Sequence, residues 1–341
     1  MIEEVINVTY WLLSRFRAKR GILLACNFET DKYLNLSCIY DDLKKENLCP
    51  AKIVFFRKNI FSILSTLWEF SGAKVVVVDC SHWIASKIIF SNKTRLVYIG
   101  HGGGVYKKMG YAKKEKLDNS GKTYKKIGQF SYICTTTDKY LSEIKENYHV
   151  TDEQIAAVGL PRTDLIFRAS NKVKKSQRLT ILLAPSFIRT ADNTRKIGWN
   201  LLEIESILRP IGANIICSIH PDIREQVEIP STWINAEDIG YPKILLLADV
   251  LVTDSSSIMF DYSCTKKPVI LFKNNKESLE DNWDTINLET DVISCSSVNE
   301  LCDCIKRALI SNVGESLYEN QMKFCSGTST QKTIKFLKAL L

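Results

Sequence analysis

The feature that most constrains this chain is an alternation. Short apolar runs rich in β-branched residues recur along it, separated by stretches of helical periodicity. Residues 21–26 (GILLAC), 51–56 (AKIVFF), 73–78 (AKVVVV) and 95–99 (RLVYI) form one series. Residues 179–184 (LTILLA), 214–218 (NIICS), 250–253 (VLVT) and 268–272 (PVILF) form a second. Runs this short and this uniformly apolar read as strands buried on both faces, as in a parallel sheet. The spacers predict helices over residues 59–70 and 82–90, then over 198–208, 241–247, 256–264 and 298–310. Strand–helix–strand repetition requires right-handed crossovers and helices covering both faces of the sheet.

With 341 residues there is room for two such sheets. The expected fold is therefore α/β, with two Rossmann-like, doubly wound parallel-sheet domains facing across a cleft. Residues 1–170 form the first domain and 171–330 the second, with a linker near 167–178. Residues 331–341 read as a helix that either domain could own. At 45% hydrophobic and 25% charged residues, the composition excludes a disordered tail, a coiled coil and a small disulfide scaffold. The eleven cysteines lack paired metal spacing, so neither a metal nor a cofactor is expected. No secretory signal and no transmembrane run is apparent, which favours a cytoplasmic protein with reduced thiols.

The net charge is +8, but it is unevenly spread. Residues 105–126 hold eight lysines against Glu115 and Asp118, and residues 171–178 and 1–20 carry further excess. Such segments read either as solvated loops or as a surface for an anionic polymer, membrane or phosphorylated substrate. Residues 6–25 mix Trp11, Leu12, Leu13 and Phe16 with Arg15, Arg17, Lys19 and Arg20. That mixture suits a helix lying on anionic lipid, or a first helix packed on its own domain. No recognition motif accompanies the lysines, so nucleic acid is not an expected partner.

In open parallel sheets, ligands bind beyond the carboxyl ends of the strands. After residues 95–99 comes Gly100-His101-Gly102-Gly103-Gly104. Gly102 and Gly103 allow close backbone approach, and His101 has the right pKa range for a general base. The same segment also reads as a glycine-rich turn with an incidental histidine. After residues 179–184, Ser186 and Arg189 could clamp a phosphate, the guanidinium with two hydrogen bonds. After residues 214–218, His220 in IHPD could donate to a diphosphate. After residues 250–253, Thr253-Asp254-Ser255-Ser256-Ser257 opens a helix, which reads as a phosphate cradle or as plain capping. His82 reads as the first-turn surface of a helix, and His149 as a structural residue at a helix end.

In this order, GHGGGVYKKMG, VGLPRTD, LAPSFIR, IHPD and ADVLVTDSSSIMFDY resemble the CDP-glycerol glycerophosphotransferases, the teichoic-acid primases and polymerases. The resemblance spans roughly residues 95–272 and implies a GT-B fold and a cytoplasmic enzyme peripheral to the cell membrane. It implies His101 as the base that deprotonates the acceptor hydroxyl, and His220 as the second essential histidine beside the donor diphosphate. It implies Arg189, Thr253, Asp254 and Ser255–Ser257 as the grip on the donor phosphates. Lys107, Lys108, Lys113 and Lys114 then face a lipid-linked polyprenyl or glycan acceptor, or the anionic membrane surface. Gly100, Gly103, Ser255 and the pair Ser326-Gly327 depart from the family pattern, which leaves the donor open among CDP-glycerol, CDP-ribitol and a nucleotide sugar. Two other readings compete: a GT-B glycosyltransferase, and a non-catalytic protein binding anionic polymer or membrane.

Overall fold

Each apolar run becomes a strand with almost no solvent-facing side. In β3 (Ala73–Val78) the four consecutive valines are all buried, which only a sheet covered on both faces allows. A computed structural model describes residues 2–26, 34–46, 50–57, 59–80, 82–100, 102–112, 130–174, 176–189, 194–254, 256–273, 283, 286, 288–311 and 313–341. Of Arg189 only the backbone is described. The chain divides into two units, Met1–Asp164 with Phe324–Leu341, and Leu165–Lys323.

The first unit holds β1 (Arg20–Cys26), β2 (Ala51–Phe55), β3, β4 (Arg95–Tyr98), β5 (Tyr132–Cys134) and β6 (Ile155–Ala156). Its first helices are α1 (Ile2–Phe16), α2 (Leu34–Glu46), α3 (Ile60–Gly72) and α4 (Leu141–Tyr148). All strand pairs are parallel, in the order β2-β1-β3-β4-β5-β6. The chain passes into the second unit within α5 (Asp164–Ala169).

The second unit holds β7 (Thr180–Ala184), the antiparallel hairpin β8 (Phe187–Arg189) and β9 (Arg195–Ile197), then β10 (Asn214–Cys217), β11 (Ile234–Asn235), β12 (Val250–Thr253), β13 (Val269–Phe272) and β14 (Ile293–Cys295). Its helices are α6 (Leu201–Leu208), α7 (Ala236–Ile239), α8 (Lys243–Leu247), α9 (Ile258–Ser263), α10 (Leu301–Leu309) and α11 (Val313–Gln321). The six main strands are parallel, in the order β11-β10-β7-β12-β13-β14. Strand order reverses between β1 and β3 in one sheet, and between β7 and β12 in the other. At such a switch point the following loops diverge and leave a crevice.

Two expectations fail here. Residues 82–90 are not a helix: one turn forms at Ala85–Lys87, where Lys87 N–H bonds Ile84 O and the ladder stops. His82 is not on the surface either. It is buried, its ring 5.7 Å from Phe56 and 5.5 Å from Phe70. Burial pushes its pKa down to about 3, so the imidazole is neutral and its Nδ1 accepts the Ala85 N–H.

The last helix, α12 (Ser329–Ala339), belongs to the first unit. Asp164 is fully buried beneath its first turn, with one carboxylate oxygen accepting Ser329 N–H at 3.0 Å and the other Thr330 N–H at 2.8 Å. A carboxylate suits this place because the amides of a first helical turn lack intrahelical acceptors. Gly159 has φ +82°, and a Cβ there would stand 2.5 Å from Ser329 Oγ and 2.7 Å from Phe324 O. VGLPRTD is thus the seat of the C-terminal helix. Asp164→Ala should lower unfolding stability by roughly 3 kcal/mol or more, since each charge-assisted bond contributes about 1.5–3 kcal/mol. An unchanged denaturation midpoint would contradict this.

Candidate functional site

In the second unit the site begins at the β7/β12 switch point. Thr253 lies opposite Ala184 in the parallel register, so the next residues, Pro185-Ser186 and Asp254, leave the sheet side by side. The largely buried Asp254 carboxylate accepts the Ser186 N–H through both oxygens, at 2.9 and 3.1 Å. This ties one loop to the other at the mouth of the crevice.

Thr253 requires a correction. It is fully buried and its hydroxyl donates to Ala184 O at 2.6 Å, so it stitches β12 to β7 and does not face a ligand. Ser256 and Ser257 are half-buried at the start of α9, with Ile258 N–H directed at Ser256 Oγ at 3.5 Å. Ser257 occupies the N-cap without a side-chain cap bond. Ser255 and the Arg189 side chain lie outside the described residues.

His220 follows β10, the strand beside β7, and is exposed. Its Nδ1 accepts the Asp222 N–H at 3.1 Å, which places the proton of the neutral ring on Nε2. The ring meets Phe187 edge to face at 4.8 Å. Phe187 also carries the Arg195 guanidinium at 5.0 Å, and Arg195 pairs with Asp222. The β8–β9 hairpin therefore fixes the imidazole from one side while the IHPD turn fixes its tautomer.

In the first unit the loop after β4 is tied to the segment before α5 by a residue that the sequence did not single out. Asn35 is buried, donates to Gly100 O at 3.0 Å and accepts the Arg162 N–H at 3.0 Å. Gly100 takes φ +91°, open to glycine and strained for other residues. Beyond it Gly103 is buried, Gly102 is half-buried, and Gly104 N–H bonds Thr136 Oγ1 at 3.0 Å. Lys107 is exposed and Lys108 half-buried. His101, Lys113 and Lys114 lie outside the described residues. His149 ends α4 in the left-handed region, stacked on Tyr111 at 3.8 Å.

Asp79 also emerges at this end of the sheet, directly after β3, beside the residues that lead to position 101: Ile99 N–H bonds Val78 O. It is buried, and burial raises its carboxyl pKa to about 6 against the opposing pull of the Cys80 thiol and the Arg162 charge. Its only sequence signal was a lone acid closing a valine run. No cluster of three or more His, Cys, Asp or Glu among the described residues is arranged to hold a metal ion.

Residues 35–321 match the family described as CDP-Glycerol:Poly(glycerophosphate) glycerophosphotransferase. The chain belongs to this family. It is 25% identical over 280 residues to the teichoic acid poly(ribitol-phosphate) polymerase of Bacillus spizizenii, covering 74% of this chain and 44% of that protein. It is 21% identical over 302 residues to the teichoic acid glycerol-phosphate primase of Bacillus subtilis, covering 83% and 78%. The chain thus spans less than half the length of the polymerase. The solved wall teichoic acid polymerase TagF superposes with a TM-score of 0.76 at 14% identity, over 98% of this chain and 94% of that one. The S. aureus MnaA–UDP structure superposes with 0.60 at 14% identity, over 94% and 98%. These likenesses speak for the fold, and the one to TagF gives the two six-stranded sheets a GT-B-like architecture.

The Asp79 shift has a sign that can be tested. Its folded pKa lies above the ordinary value of 3.8, so folding favours the protonated acid, and Asp79 costs stability as pH rises from 3.8 through about 6. Asp79→Asn should be more stable than wild type above that window, by up to about 3 kcal/mol. The gap should close in acid. A gap independent of pH in denaturation curves would contradict the assignment.

Proposed function

We propose that the chain transfers a polyol phosphate, glycerol phosphate foremost, from a CDP-activated donor to a hydroxyl of a membrane-linked acceptor, releasing CMP. The product would be a teichoic-acid or capsule-type polymer. The family match over residues 35–321 carries this reading, because it takes in the loops after β4, β7, β10 and β12 together. A TagF structure soaked with CDPG supports the donor type.

In this reading the acceptor oxygen attacks the β-phosphorus of the donor, the bond to the CMP oxygen breaks, and the hydroxyl proton passes to His101. His220, with its proton on Nε2, donates to the donor diphosphate as negative charge grows on the leaving oxygen. Ser186, Arg189, Asp254 and Ser255–Ser257 form the donor grip, Asp254 by holding the Ser186 amide in place. Gly102 and Gly103 let the acceptor approach the backbone, and Lys107, Lys108, Lys113 and Lys114 face an anionic acceptor. Most of the rate enhancement comes from positioning and charge stabilisation. The enzyme would work at the cytoplasmic face of a bacterial membrane.

The test is nucleotide release from CDP-glycerol, CDP-ribitol and UDP-N-acetylglucosamine with a lipid-linked acceptor. CMP should form from a CDP-polyol. His101→Ala and His220→Ala should each lower kcat about 100-fold or more, as for loss of an acid–base group. His101→Ala should leave CDP-glycerol affinity nearly unchanged. Preference for CDP-ribitol would change the polyol and keep the reaction. UDP release with no CMP release would replace this reading with a glycosyltransferase.

A further inference from the structure

The β8–β9 hairpin brings to the IHPD turn a cation that the sequence did not single out. In the antiparallel register Phe187 stands opposite Ile197, and Arg189 opposite Arg195. Positions two apart on a strand share a face, so Phe187 and Arg195 are diagonal neighbours on one side of the hairpin. The Arg195 guanidinium lies 5.0 Å over the Phe187 ring, and the same ring meets His220 edge to face at 4.8 Å. Nη1 of Arg195 donates to Asp222 Oδ2. The Asp222 N–H in turn donates to His220 Nδ1 at 3.1 Å. These contacts close a ring that runs from His220 through Phe187, Arg195 and Asp222 back to His220.

The ring bears on the place of one proton. A neutral imidazole carries its proton on Nδ1 or on Nε2, and the hydrogen bond made by one nitrogen decides the state of the other. The Asp222 amide can only donate, so Nδ1 accepts and Nε2 holds the proton. The side chain of the same residue gives the opposite instruction. An ionised carboxylate can only accept, and this one stands on the residue whose amide already touches Nδ1. Left unpaired, it would draw the proton to Nδ1, because a charge-assisted hydrogen bond is roughly twice as strong as a neutral one. Nε2 would then be a bare acceptor, and a bare acceptor repels phosphate oxygens. Arg195 occupies the carboxylate, and its planar guanidinium is held in place on the Phe187 face. Stability does not explain the pair: both side chains are about one-third exposed, and ion pairs so exposed contribute little.

We propose that Arg195 is a positioning residue for His220: by holding the Asp222 carboxylate it keeps the imidazole proton on Nε2, the form that can donate to a phosphate oxygen. Arg195 acts through Asp222 and Phe187, and no contact of its own with the donor is needed. The use of that proton in turnover rests on the proposed function. Its place on the ring does not.

Histidine-selective ¹⁵N labelling, read by multiple-bond ¹⁵N–¹H correlation, reports the tautomer directly. Spectra are recorded without nucleotide at about pH 8.5, roughly two units above the ordinary imidazole pKa, so that the neutral ring is observed. The chain has four histidines, and His220→Gln assigns the signal. Wild type should show a protonated Nε2 and a bare Nδ1. Arg195→Gln should move the proton to Nδ1 and lower kcat for CMP release about tenfold or more, with a smaller change in the KM for CDP-glycerol. Adding Asp222→Ala to Arg195→Gln removes the competing acceptor and keeps the backbone amide. The proton should then return to Nε2, and most of kcat with it. If Arg195 served packing alone, the double variant would be no better than the single one. Three results would overturn the proposal: a protonated Nδ1 in wild type, a proton still on Nε2 in Arg195→Gln, or a double variant that regains neither the tautomer nor the rate. Should wild type release no CMP, the proposed function fails, while the spectra still decide this inference.

Discussion

A largely buried carboxylate at a point where strand order reverses governs the second unit. Asp254 leaves β12 beside Ser186, which has just left β7, and takes that residue's N–H on both oxygens. With β7 and β12 adjacent and their onward chains turning apart, this tie is what keeps the crevice mouth in one shape. Thr253, one residue earlier, adds a hydroxyl bond to Ala184 O inside the sheet. His220 arrives from the neighbouring strand, its ring fixed by Phe187 and its tautomer by the Asp222 amide.

In the first unit a buried amide ties two further segments together. Asn35 offers a donor to Gly100 O and an acceptor to Arg162 N–H, so the glycine loop and the VGLPRTD segment share one buried hub. That segment is committed again at Asp164, which seats the C-terminal helix. A motif that carries part of the family resemblance is thus, in this unit, largely a piece of joinery. The Arg162 charge also pulls the Asp79 pKa down against the effect of burial.

The eight apolar runs were legible as strands because burial on both faces leaves an unbroken apolar signature. Strands β5, β6, β11 and β14 were not, since two or three residues carry no period. His82 was misread because the phenylalanines that bury it come from β2's end and from α3, which local pattern does not report. Asn35 was invisible for a similar reason: its partners lie 65 and 127 residues away. Thr253 was legible as part of a motif, but the motif could not say that its hydroxyl points into the sheet.

The central claim is that the donor diphosphate binds at the β7/β12 switch point, on a loop shaped by Asp254. Calorimetric titration of CDP-glycerol into wild type and Asp254→Asn tests it most directly. The account predicts that the variant stays folded and binds about tenfold or more weakly, a loss of about 1.4 kcal/mol or more. Equal affinity in the two proteins would contradict it.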